Sequence, residues 1–266
     1  MEKPKAHEMA GEILCSKKYA GINRAVVERI CLETIPKYAK PKDVIKAVKK
    51  ELHIIHESFL SEDCHRKAEA LLDGYLRPEG ITADQDFALQ LMALHASTRE
   101  RLGRVEDIYG YISGYLKADD RIIDMGCGFN PFALPFFTVR PKHYVAYDIS
   151  SSTVRTLDHY FTLAGLPYRA EMLDAAMQRP AAVKGDVLFM FKLFPLLERQ
   201  KKGRAYEILH TASCTIVSFP LKSASGREKG MEAFYASQFE TGLPPEFAIA
   251  EKKIFLNEMF YVMYRK

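Results

Sequence analysis

The chain has 266 residues and 30.3 kDa, 48% apolar and 27% charged, which suffices for one large or two smaller folded units and excludes disorder or coiled coil for the whole chain. A formal net charge of +4 and a pI near 8.6 permit a nucleic-acid partner without requiring one. No run approaches the ~18 to 20 apolar residues of a membrane helix, and Met1-Glu2-Lys3-Pro4-Lys5 has no apolar stretch behind its charges, so a cytoplasmic protein without secretory signal or membrane contact is expected. In chain order, residues up to about 100 predict helices with short breaks. The clearest follows Pro41, where Val44, Val48, Leu52, Ile55 and Phe59 recur at steps of three or four and Lys42, Lys46, Lys49 and Lys50 project roughly opposite. Ser61 suits the cap of a next helix carrying Ala68, Leu71 and Leu72, and Gly80 with Thr82 breaks the chain before an apolar stretch from Phe87 to Leu94. A helix from about Ser97 to Leu116 is predicted to follow.

Beyond Arg121 the period changes. Strands are predicted at Ile122 to Met125, Tyr144 to Tyr147, near Tyr168 to Met172, Val187 to Phe191 and Thr215 to Phe219. Helices are predicted after Pro131, from Ser151 to Ala164, in a charged stretch through Leu209, and near Met231 to Phe239. Such alternation implies an α/β fold with a mostly parallel sheet. Two closing strands, separated by Asn257-Glu258, add an antiparallel hairpin. The expected organisation is a helical extension over 1–100 and an α/β domain over 101–266.

Asp124-Met125-Gly126-Cys127-Gly128-Phe129-Asn130-Pro131 follows a strand and opens a helix, so its glycines let backbone approach a ligand at a helix N-terminus. Asp148 ends the next strand, where a carboxylate holds ribose hydroxyls, and a nucleoside cofactor is the natural ligand. Pro131 stands where a dinucleotide fold needs a third glycine. Asp174, after the third strand, reads either as an acceptor for an adenine amino group or as a loop aspartate. With Asp124 and Asp148 it makes three carboxylates expected to converge on one crevice. The fourth strand ends Phe191-Lys192-Leu193-Phe194-Pro195, supplying a cation and no general base. Lys192 therefore reads either as catalytic, beside an acceptor atom with a free lone pair, or as a cap on the strand end.

Cations cluster in three places. Residues 36–50 hold six lysines against one aspartate, and Arg199-Gln200-Lys201-Lys202-Gly203-Arg204 and Lys222-Ser223-Ala224-Ser225-Gly226-Arg227-Glu228-Lys229 follow strand ends. Each is either a phosphate-facing surface or solvated charge. Cys15, Cys31, Cys64, Cys127 and Cys214 show no CxxC pair and no zinc spacing, so they read as reduced, mostly buried thiols, and no metal site is expected.

The aspartate two positions before Gly126 is similar to the first motif of class I S-adenosylmethionine (SAM) methyltransferases, which are Rossmann-like. More specifically, His95-Ala96-Ser97-Thr98-Arg99-Glu100-Arg101, the Gly126 to Pro131 turn, Phe191 to Glu198, Ser218-Phe219-Pro220 with Gly226 to Met231, and Ser16-Lys17-Lys18-Tyr19 resemble the Arm/Rmt aminoglycoside-resistance methyltransferases. Phe129, Leu221 and Ala224 depart from residues common in that family. The resemblance implies methylation of nitrogen-7 of guanine 1405 of 16S rRNA in the assembled 30S subunit by a monomeric enzyme. It also implies resistance to 4,6-disubstituted deoxystreptamines such as gentamicin. It implies SAM on Phe59, His95, Ala96, Ser97, Arg101, Gly126, Asp148, Asp174, Ala175, Phe191 and Gln200, with the Arg101 fork on the cofactor carboxylate. The rRNA would meet Lys17, Lys18, Lys46, Lys49, Lys201, Lys202, Lys222, Arg227 and Lys229. The competing readings are a class I methyltransferase for another RNA position or a small molecule, and an inactive RNA-binding module.

Overall fold

The computed structural model describes residues 2–57, 62–76, 80–178, 184–222 and 230–266. Its centre is a seven-stranded sheet of β1 (Arg121–Met125), β2 (His143–Asp148), β3 (Arg169–Met172), β4 (Gly185–Phe191), β5 (Ala212–Pro220), β6 (Phe247–Phe255) and β7 (Glu258–Arg265), in the order β3-β2-β1-β4-β5-β7-β6. The first five strands run parallel, and β7 lies antiparallel between β5 and β6. Alternation along the strands builds two apolar layers. Ile122, Phe189, Phe191, Ile216 and Val262 face one side, and Ile123, Leu188, Met190, Val217 and Met263 face the other. The sheet switches direction between β1 and β4, and the carboxyl ends of those strands open a crevice there.

Eleven α-helices among the described residues surround this frame. The first three, α1 (Glu2–Leu14), α2 (Arg24–Thr34) and α3 (Pro41–Leu52), bury Ala6, Ala10, Ile13, Val26, Val27, Ile30, Val44, Val48 and Leu52 in a cluster of their own, joined by Ile55 from the π-helical turn after α3. The stripe read after Pro41 is therefore the packed face of α3, which leaves Lys42, Lys46 and Lys50 exposed and Lys49 half-buried. Residues of α4 (Glu62–Asp73), α5 (Gln85–Met92) and α7 (Val105–Ser113) instead join one layer of the sheet through Ala68, Leu72, Phe87, Leu91, Ile108 and Ile112.

Three predicted helices are broken. The one expected from about Ser97 to Leu116 divides into α6 (Ala96–Arg99), a 3-10 turn at Leu102–Arg104, and α7, because Arg101 turns inward and Gly103 follows it. After the glycine turn, Asn130–Phe136 is a 3-10 helix holding Pro131 and Pro135, and proline removes the amide that would continue an α-helix. The charged stretch becomes α9 (Phe194–Gln200) and α10 (Arg204–Leu209), separated at Gly203 with φ 83°. By contrast α8 (Ser151–Leu163) and α11 (Met231–Gly242) fall where expected. Ser150 caps α8 through its side chain, accepting from Thr153 N at 3.2 Å. Glu258 belongs to β7 rather than to the hairpin turn, which uses Leu256 at φ 51°. The Ser61 cap lies outside the described residues.

Candidate active site

The turn after β1 leaves no room for side chains. Gly126 and Gly128 have φ of 63° and 49°, and a Cβ would fall 2.8 Å from Leu193 Cδ1 at the first and 2.4 Å from His95 Nε2 at the second. Glycine at both lets the turn pack directly against Leu193 and His95. Gly128 N donates to Asp148 Oδ2 at 3.0 Å and Ser150 N to Asp148 Oδ1 at 2.9 Å, so the carboxylate at the end of β2 is fixed from two sides by backbone. His95 caps α6, its Nδ1 accepting from Ser97 N at 3.1 Å.

These groups line a cleft of about 940 Å³, open mouth included, in the range of ligand pockets. Of the expected cofactor residues, His95, Ser97, Arg101, Gly126, Asp148, Asp174, Ala175, Phe191 and Gln200 line it, together with Lys192. Ala96 is the first residue of α6, between His95 and Ser97. Phe59, Arg227 and Lys229 lie outside the described residues. Asp124 corrects the picture of three converging carboxylates. It is buried behind the cleft and accepts from Tyr144 Oη at 2.5 Å and Asn130 Nδ2 at 2.9 Å; burial pushes its carboxyl up to about 6 despite those bonds. Asn130, not Asp124, lines the cleft.

Arg101 lines the cleft, is 2% exposed, and has most of its fork engaged by protein groups. Nε and Nη2 donate to the two carboxylate oxygens of Glu258 at 2.8 and 2.6 Å, while Nη1 reaches Tyr109 Oη and Asn130 Oδ1, both at 3.1 Å. The guanidinium also rests over the Phe191 ring, 4.9 Å from its centroid. Burial opposes ionisation of Glu258, yet Arg101 and Lys192 outweigh it and hold the carboxyl at about 2. Lys192 sits at φ 57°, buried, with Nζ bound to Glu100 and 3.5 Å from Glu258. Two cations thus face two carboxylates, and little net charge remains here. Ser218 Oγ donates to Glu258 as well.

A residue that sequence reasoning missed binds two of the lining side chains. Arg29 of α2 donates from Nε to Asp174 Oδ2 at 2.8 Å and from Nη2 to Gln200 Oε1 at 2.8 Å. Arg204, expected in a run that is either phosphate-facing or solvated, is buried instead. Its donors reach the carbonyls of Ala175 and Gln178 at 2.8 and 2.6 Å and so brace the loop that carries Asp174. Arg199 pairs with Glu51. Lys17, Lys18, Lys46, Lys201, Lys202 and Lys222 are exposed, and Lys17 borders a second, shallower cavity with Arg66 and Arg155. Burial raises the Cys127 thiol well above its ordinary value, with Asp148 and Asp124 adding to it, which argues against a nucleophilic cysteine.

A doubly wound sheet, a glycine turn after its first strand and a carboxylate ending the second define a class I SAM-dependent methyltransferase fold. A 16S rRNA (guanine(1405)-N(7))-methyltransferase of Serratia marcescens is 34% identical over 258 residues, covering 94% of this chain and 95% of that protein. One from Proteus mirabilis is 28% identical over 272 residues, covering 97% and 96%. The crystal structure of the 16S rRNA methyltransferase RmtF in complex with S-adenosyl-L-homocysteine superposes with a TM-score of 0.88 at 33% identity over 98% of each chain. The family model described as ribosomal RNA methyltransferase (FmrO) matches residues 15–251, and the chain belongs to that family.

Proposed function

We propose that this chain transfers a methyl group from SAM to nitrogen-7 of guanine 1405 of 16S rRNA in the assembled 30S subunit, acting as a cytoplasmic monomer. The observation that carries this reading is the cleft itself. It joins a side-chain-free glycine turn, a backbone-fixed Asp148, and a strand end that offers Lys192 but no general base. The donor and acceptor set fits SAM. Asp148 suits two ribose hydroxyls, Asp174 and Ala175 suit the adenine edge, and His95, Ala96, Ser97, Arg101 and Gly126 suit the methionine portion. Phe191 and Gln200 suit the walls, and Phe59 is kept on family resemblance. SAM, when bound, supplies an electrophilic methyl group on a sulfonium.

Guanine nitrogen-7 has an in-plane lone pair and no proton to lose, so the site needs to position and desolvate rather than deprotonate. Glu100 and Glu258 offset Lys192 and Arg101, so a cationic methyl donor meets no uncompensated positive charge. Lys192, a residue that lines the cleft, is assigned to the acceptor end. Residues 1–100 are assigned to rRNA binding, apart from those that line the cleft, and 101–266 to methyl transfer, apart from the phosphate contacts named next. Lys17, Lys18, Lys46, Lys49, Lys201, Lys202, Lys222, Arg227 and Lys229 are proposed phosphate contacts. Mass mapping of 16S rRNA from cells expressing the chain tests the reading. A single added methyl at guanine 1405, missing from cells expressing Asp148→Ala, is expected; a methyl at another nucleotide would overturn the substrate.

A further inference from the structure

α2 is a wall of the cleft and is fastened there twice. Ile22 and Ser150 form an antiparallel bridge, Asn23 N donates to Ile149 O at 2.8 Å, and Ser151 N donates to Gly21 O at 2.7 Å. These bonds hold the start of α2 beside the carboxyl end of β2. One turn into the helix, Val26 and Arg29 share a face, since side chains three apart are neighbours. Val26 lines the cleft, and Arg29 reaches across to Asp174 and Gln200.

Counting donors and acceptors defines what this does. Arg29 spends Nε on Asp174 Oδ2, Nη2 on Gln200 Oε1 and, at 3.4 Å, on Asp174 Oδ1, and Nη1 on Glu33 at 3.2 Å. Asp174 Oδ1 also accepts from Ala176 N at 3.1 Å. A carboxylate offers about four acceptor positions, so these bonds leave one, on Oδ2, fixed in direction. The Arg29 and Asp174 side chains are 11% and 9% exposed, so solvent does little to screen the pair. A carboxylate this constrained selects an amino group over a carbonyl oxygen at the facing edge of a purine.

We propose that Arg29 is a positioning residue of the cofactor site: it orients the Asp174 carboxylate and the Gln200 amide so that the subsite takes a 6-aminopurine, which makes α2 part of the adenine pocket. This rests on the reading of the cleft as the SAM site. The test uses 5′-methylthioadenosine and 5′-methylthioinosine, in which a carbonyl replaces the 6-amino group and N1 gains a proton; the N1 difference is common to parent and variants, so the change in the ratio reports the 6-position. Calorimetry on the full chain gives the affinity ratio. The parent should prefer the adenosine probe by about tenfold or more, the equivalent of one hydrogen bond to a charged group. In Arg29→Ala that preference should shrink to roughly threefold or less, and Arg29→Lys, which keeps the charge but not the fork, should fall between them. A role as a mere strap would weaken both probes equally, and that result, or an unchanged ratio in a folded Arg29→Lys, overturns the inference. Asp148→Ala, run alongside, separates the two levels. If it binds both probes as the parent does, the cleft assignment fails and this inference with it; if it loses both while the Arg29 variants keep the parent ratio, only the role of Arg29 fails.

Discussion

At the scale of single residues, the buried pair of Arg101 and Glu258 sets a pH dependence. The Glu258 carboxyl is lowered from 4.5 to about 2 in the folded chain. Its contribution to stability is therefore complete above about pH 4.5 and drains away as pH falls toward 2. Removing the charge by Glu258→Gln leaves Arg101 buried without its counter-ion, a loss on the order of 3 to 5 kcal/mol for a broken buried pair. Urea unfolding across a pH series should show the parent midpoint falling through that window, while the variant starts lower and changes less there. Parallel slopes in the two proteins would mean that Glu258 does not govern the acid limb. The polar groups legible in the sequence were those that sit at strand ends with a local signature, Asp148, Asp174 and the two glycines. Glu258 and Arg29 were not legible, because what gives them meaning is a partner 157 and 145 positions away. Asp124 misled for a related reason: its place in the motif is clear, but only the packing of Tyr144 and Asn130 shows that it faces away from the cleft.

At the scale of elements, α3 presents a lysine-rich surface, and its packed stripe of Val44, Val48 and Leu52 fixes which way that surface points. If it lies on rRNA phosphates, Lys46→Glu with Lys49→Glu should weaken 30S binding by tenfold or more at moderate salt and lower the slope of affinity against salt by about one for each phosphate that is no longer neutralised. SAM affinity should hold, since neither lysine lines the cleft. Filter binding over a salt series decides it, and equal curves for variant and parent would leave these lysines as solvated charge. Most elements were readable from apolar period alone, because strands buried on both faces and an amphipathic helix leave different patterns. The breaks within three helices were not. A glycine at positive φ, a second proline in a short turn and an inward-turning arginine each end a helix through tertiary fit, which period does not record.

At the scale of the whole molecule, one methyl group is expected to change a drug phenotype. Methylation removes the nitrogen-7 acceptor and leaves a fixed positive charge, and both oppose a polyamine ligand. Losing a charge-assisted hydrogen bond costs roughly 1.5 to 3 kcal/mol, while a hundredfold loss of affinity corresponds to ~2.7 kcal/mol. Bacteria expressing the chain should therefore survive gentamicin and stay sensitive to neomycin, and growth assays should show gentamicin resistance vanish with Asp148→Ala. Resistance to both drugs would place the modified base elsewhere in the decoding site.

The position of β7 in the sheet has a consequence for biosynthesis. Ribosomes make chains from the amino end, yet the strand that brings in Glu258 must slot between β5 and β6, after every other member of the Arg101 network has been made. Until then Arg101 lacks the carboxylate that takes two of its donors. A nascent chain stalled before Glu258 should stay protease-sensitive around Arg101 and fail to capture radiolabelled SAM, whereas one stalled well past Arg265 should resist protease and capture SAM as the released protein does. Capture by the shorter chain would separate closure of the site from this strand.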